Sequence, residues 1–156
     1  GINIDIEIDK IKVFKIARPD DLNICCPISD KKFNVKVVNR LKYGVNTYIR
    51  KGKKNEENLI QTKTLNEIID KSKYRNREID LLNIDTEGND FNVLKSVNLK
   101  KYKPKIIIIE IHEKKIQNII KSALFKYLSK YKYNLRSWSF YSLIFVKQNS
   151  KLIRNR

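Results

Sequence analysis

The groups of this chain best equipped for chemistry sit in two short motifs. Asp85-Thr86-Glu87-Gly88 follows one hydrophobic run, and Glu110-Ile111-His112 closes another. His112 is the single histidine of the chain. On an extended strand it shares a face with Glu110, two residues earlier, so the carboxylate can orient the imidazole to take a proton from a substrate. Asp85 and Glu87 crowd two negative charges at a strand-to-helix turn, where a helix amino end favours them. Plainer roles exist for both motifs: Glu87 can cap a helix, and a strand histidine is often only a hydrogen-bonded structural residue. Several titratable groups facing one cleft are nonetheless the usual mark of a site.

In an open α/β sheet, ligands lie outside the carboxyl ends of the strands, so the runs before these motifs must be neighbouring strands. The same logic singles out Asp5, after the opening run, and Ser29 with Asp30, after the next. A carboxylate in the position of Asp5 suits the two hydroxyl hydrogens of a ribose, and it equally suits a helix N-cap. Gly1-Ile2-Asn3-Ile4 alternates like a short strand, Ile8, Ile11 and Phe14 have helical spacing up to Pro19, and residues 22–28 read as a second strand. Phe33, Val35 and Val37 alternate with polar residues, and residues 45–49 can pair with them across a turn near Gly44. Thr64-Leu65-Asn66-Glu67 is a capping box opening a short helix lined by Leu65, Ile68 and Ile69.

Residues 79–84 predict a strand ending at Asp85, after which Gly88 turns the chain into a helix carrying Phe91, Leu94 and Val97. Beyond Pro104, Ile106-Ile107-Ile108-Ile109 lacks alternation, which predicts burial on both faces and a central place in a parallel sheet. Ile116, Ile119, Ile120, Ala123, Leu124, Tyr127 and Leu128 keep an unbroken helical spacing. Residues 134–138 and 143–146 predict an antiparallel closing hairpin. The alternation of strand and helix predicts a doubly wound, mostly parallel α/β sheet in a single domain over residues 1–156.

Composition narrows the function. A chain of 156 residues with 41% hydrophobic content is too apolar for a disordered tail. The run at Ile106 is far shorter than the roughly 20 residues needed to span a bilayer. The opening residues carry no basic stretch leading into an apolar one, so a cytoplasmic protein is expected. Cys25 and Cys26 are adjacent, with neither bridging nor metal-ligand spacing, and read as small apolar core residues in a reduced setting. The formal charge of +17 raises the possibility of a nucleic-acid partner. The lysines, however, are spread over every predicted element among Ile and Asn, a mixture expected from an AT-rich coding sequence, and solvated faces explain most of them. The exceptions are the block Arg50-Lys51-Gly52-Lys53-Lys54 and a basic end at Lys151, Arg154 and Arg156.

The run from Ile79 to Gly88, followed by Val93-Leu94 and by Pro104 with Ile108-Ile109-Glu110, resembles the signature of FkbM-type methyltransferases. Gly1-Ile2-Asn3-Ile4-Asp5, Ile28-Ser29-Asp30-Lys31 and Thr64-Leu65 extend the likeness over nearly the whole chain in the same order. The resemblance implies a class I, Rossmann-like fold using S-adenosylmethionine to methylate a hydroxyl of a small molecule or carbohydrate. It implies that Asp5 holds the cofactor ribose, that Ser29 and Asp30 lie near the adenine, and that Asp85 and Glu87 face the reacting centre. Glu110 and His112 would complete the acceptor side. No Gly-x-Gly pattern occurs in the sequence, and in this fold a strand with a glycine-rich turn precedes the segment beginning here at Gly1. An N-terminally truncated domain is therefore expected.

Two readings compete. Asp85, Glu87 and Glu110 could hold Mg²⁺ in a metal-dependent nuclease. Alternatively, Tyr43, Tyr48 and the Arg50–Lys54 block could serve a non-catalytic basic module by stacking on bases and contacting phosphates.

Overall fold

A computed structural model describes residues 1–40 and 46–148, so Tyr43, Gly44, Val45, Lys151, Arg154 and Arg156 lie outside the described residues. The chain divides into two compact units: Gly1–Asn76 with Lys95–Val97, and Arg77–Leu94 with the described residues from Asn98 on.

In the first unit, the alternating opening residues form β1 (Ile2–Asp5), and the spacing of Ile8, Ile11 and Phe14 forms α1 (Ile8–Ala17). Pro19 follows the helix, and β2 (Leu22–Cys25) pairs parallel with β1, Asp5 opposite Cys25. The second strand is shorter than expected because Pro27 has no N–H to continue a ladder. Cys26 N–H still bonds the Asp5 carbonyl at 3.0 Å, but Ile28 instead bridges Lys63. Of the two cysteines only Cys26 is buried, and burial raises its thiol pKa; Cys25 is exposed, contrary to a core role for both.

The hairpin-like excursion is present. β3 (Asn34–Arg40) pairs antiparallel with β4 (Asn46–Lys51) on one side and with β5 (Ile60–Gln61) on the other. The capping box opens α2 (Leu65–Lys71), with the Thr64 hydroxyl accepting from Glu67 N–H at 3.2 Å. Leu65, Ile68 and Ile69 are buried as the spacing requires.

The second unit centres on a four-stranded sheet in the order β6-β7-β9-β8. Its members are β6 (Leu81–Ile84), β7 (Ile106–Glu110), β8 (Tyr133–Ser139) and β9 (Ser142–Lys147). β6 and β7 run parallel, while β9 is antiparallel to both β7 and β8. The isoleucine run is therefore central, but in a sheet of mixed direction. Its burial also alternates: Ile107 and Ile109 are fully buried and Ile106 and Ile108 half-buried.

α3 (Asp90–Lys95) ends before Val97, which is buried outside the helix. The expected helix from Ile116 splits into α4 (Ile116–Lys121) and α5 (Ala123–Lys130). Ser122 has extended backbone, and its hydroxyl accepts from Phe125 N–H at 3.1 Å, so a serine inside an apolar spacing restarts the helix as an N-cap. Leu128, Leu143 and Phe145 join Ile107 and Ile109 as fully buried side chains. Each such group contributes roughly 1.5–3 kcal/mol by leaving water. The described residues thus form a mixed α/β chain with two-, three- and four-stranded sheets. No helix among them is long and apolar enough to cross a membrane.

Candidate functional site

Parallel pairing of β6 and β7 brings their carboxyl ends together, with Asp85 following the last residue of one strand and Glu110 the last residue of the other. Glu87 and Gly88 both take left-handed backbone, φ 51° and 94°, to make the turn after β6. That conformation is natural for glycine and uncommon for glutamate. The turn is held by a residue the sequence reading passed over. Asp90, only 6% exposed, accepts from Thr86 N–H at 2.7 Å, from the Thr86 hydroxyl at 3.1 Å and from Gly88 N–H at 3.1 Å. An aspartate in the first turn of a helix two residues after a turn glycine was the available signal.

Oxygens of Asp85, Asp90 and Glu110 lie within 4.8 Å of one another, and so do ligand atoms of Glu87, Glu110 and His112. The four predicted groups of this unit, Asp85, Glu87, Glu110 and His112, are therefore brought together. Glu110 is 16% exposed, and its Oε2 lies 3.4 Å from His112 Nε2, while the imidazole is 57% exposed. Tyr141 covers one side of that ring, centroids 5.0 Å apart and planes tilted 44°. Among the described residues no lysine or arginine forms an ion pair with Asp85, Glu87, Asp90 or Glu110. Burial first, then the negative charge of Asp85, raises the Glu110 pKa above the ordinary glutamate value; His112 opposes the rise, and Asp90 and Glu87 add to it.

Asp5, Ser29 and Asp30 belong to the first unit. Asp5 ends β1, and its Oδ1 accepts from Glu7 N–H at 2.8 Å, whereas Oδ2 meets only Lys10, at 3.8 Å. The N-cap of α1 is Glu7, without a side-chain bond, so Asp5 shapes the turn rather than capping the helix. Ser29 is fully buried, with its hydroxyl 3.4 Å from Asp30 Oδ1. Asp30 pairs with Lys95 at 3.0 Å, and that hydrogen-bonded ammonium lowers its pKa. The first unit also has an open hollow of about 450 Å³ lined by Asp20, Asp21, Leu22, Lys71 and Lys73 among others. It lies at the amino end of β2, the opposite end of that strand from Asp5, and brings together no acid–imidazole pair.

One member of the basic block is engaged, while Lys51, Lys53 and Lys54 are exposed. Arg50 is forked onto Glu56, with nitrogen–oxygen distances of 2.9 and 2.5 Å, and Lys53 N–H bonds the same carboxylate.

A family model described as the methyltransferase FkbM domain matches residues 5–135. No curated protein and no solved structure matches the chain.

Proposed function

The chain belongs to the FkbM methyltransferase-domain family, and on that premise we propose that it transfers a methyl group from S-adenosylmethionine to a hydroxyl of a small molecule or carbohydrate. The observation that carries the reading is the meeting of Asp85, Glu87, Glu110 and His112 at the ends of two parallel strands, within the span the family model covers. Within each unit a parallel strand pair, β1–β2 or β6–β7, sets the two strand carboxyl ends side by side, as a Rossmann-like fold requires where ligands bind.

S-adenosylmethionine, when bound, supplies an activated methyl on a sulfonium. Asp5 is suited to the ribose, because its Oδ2 has only the distant contact with Lys10 among the described residues and can accept hydroxyl hydrogens. Ser29 and Asp30 are assigned to the adenine side, Ser29 through its buried hydroxyl. Asp85 and Glu87, which pair with no lysine or arginine among the described residues, give the turn a negative rim that favours a cationic donor. His112 presents Nε2 to Glu110, which leaves Nδ1 to accept the proton of the acceptor hydroxyl. Glu110 then faces an imidazolium and stabilises it. In-line displacement asks for little covalent chemistry from the protein, so positioning and charge carry most of the acceleration.

Calorimetric titration of the chain with S-adenosylhomocysteine tests the premise. Binding that weakens on Asp5→Ala supports it, and absence of binding by the unaltered protein counts against it. A second reading has one observation in its favour: the paired ligand-atom clusters also suit a divalent cation, as a metal-dependent nuclease would need. Mg²⁺-dependent cleavage of DNA or RNA that disappears in Asp85→Asn would favour that reading instead.

A further inference from the structure

Phe140 is 90% exposed, more than any other large apolar side chain among the described residues. It occupies the turn between β8 and β9 with φ 51°, a left-handed conformation that bulky residues seldom adopt. Two hydrogen bonds fix this turn. The Trp138 indole N–H donates to the Phe140 carbonyl at 2.6 Å, and Ile111 N–H donates to the Tyr141 carbonyl at 2.7 Å. The second bond fastens the turn to the residue between Glu110 and His112, and the Tyr141 ring lies against the His112 ring. The turn that carries Phe140 is thus joined to the acid–imidazole pair through Tyr141 and Ile111.

Exposed rings on a turn anchored to an acid–imidazole pair suit a partner that is itself two-sided. Carboxylate and imidazole accept hydroxyl hydrogens, while aromatic faces favour C–H groups. The neighbours Ser139 and Ser142 are exposed and polar, so the turn lacks the contiguous apolar area of a protein-docking patch. A pyranose ring has the matching form, with hydroxyls around its edge and C–H groups on a face. We propose that Phe140 and Tyr141 form a stacking wall for a pyranose acceptor. Tyr141 is in addition a positioning residue that holds His112 beside Glu110. The role given to His112 rests on the methyl-transfer reading; the stacking contact stands independently of it.

Saturation-transfer NMR on the full chain tests the wall, using a panel of methyl pyranosides as probes and sorbitol as an open-chain polyol. Ring C–H protons of at least one pyranoside receive saturation from the unaltered protein, and sorbitol receives none. Phe140→Asn keeps a residue that tolerates left-handed backbone and weakens the pyranoside Kd by about tenfold, whereas Phe140→Tyr preserves it. Trp138, the single tryptophan, reports through its emission that the turn is intact. The C2–H resonance of His112 moves in Tyr141→Ala and stays in place in Tyr141→Phe, as ring contact requires. Pyranoside contact that is absent, equal for sorbitol, or unchanged in Phe140→Asn overturns the proposal. S-adenosylhomocysteine binding is measured in parallel, so a failure of the methyltransferase reading is seen separately from a failure of the wall.

Discussion

Glu56, in the first unit, and Glu110, in the second, are the same side chain under opposite electrostatic conditions. Arg50 forks onto Glu56 and the Lys53 amide adds a third donor, which together depress its pKa to about 2. Glu110 is more enclosed, has three carboxylates for neighbours and one imidazole for a partner, and holds its proton more tightly than an ordinary glutamate. Glu67, held by Lys32 at 2.9 Å and Lys71 at 3.1 Å, repeats the first pattern. In this chain basic side chains outnumber acidic ones, 34 to 17. That four neighbouring carboxylates meet no lysine or arginine among the described residues is the contrast on which the proposed site rests.

The largest way to break the contrast is to remove the strand that carries the poised acid. Ile109→Ala deletes a fully buried side chain next to Glu110 and should lower unfolding stability by about 2–5 kcal/mol in a urea titration. Asp90→Ala should cost less, roughly 1–3 kcal/mol, since it leaves the Thr86 and Gly88 amides without their acceptor. It should also loosen the turn that presents Asp85 and Glu87, visible as faster amide exchange there than at β9.

Glu110→Gln sharpens the contrast through its sign. A carboxyl whose folded pKa is raised stabilises the fold only while protonated, so the ionised form is a burden at neutral pH. The variant should be more stable than the parent at pH 7, by less than the ~3 kcal/mol of a core deletion, and equal to it below the ordinary glutamate pKa. Glu56→Gln should do the reverse and have the smallest effect, because its partner Arg50 is 38% exposed and solvent screens the pair. Its lowered pKa contributes stability that is present above pH 4.5 and lost as pH falls toward about 2, so thermal scans across that window should show a flatter acid limb in the variant.

Much of the second unit was legible in the sequence. The isoleucine run and the Asp-Thr-Glu-Gly turn located both strand ends, and one-residue spacing put Glu110 and His112 side by side. Three features were hidden for identifiable reasons. Ser122 lies inside a perfect helical spacing, and periodicity of apolar residues does not register a hydroxyl that caps a new helix. Four identical residues in a row show no alternation, so the half-burial of Ile106 and Ile108 had no trace in the pattern. Asp90 has no distinguishing mark in the sequence beyond a first-turn acid, because the three groups it accepts from are mostly backbone. In the first unit the capping box read directly as α2, but its reciprocal half was displaced by ion pairs, as Glu67 turns to Lys32 and Lys71.

Among the described residues, no lysine or arginine compensates the carboxylates at the ends of β6 and β7. A carbon-detected NMR titration of the glutamate side chains measures this without substrate or cofactor. It should show the Glu110 carboxyl titrating above the ordinary value of 4.5 while Glu56 titrates near 2. A Glu110 midpoint at or below 4.5 would mean that a cation neutralises the cluster, and the case for a poised site would be lost.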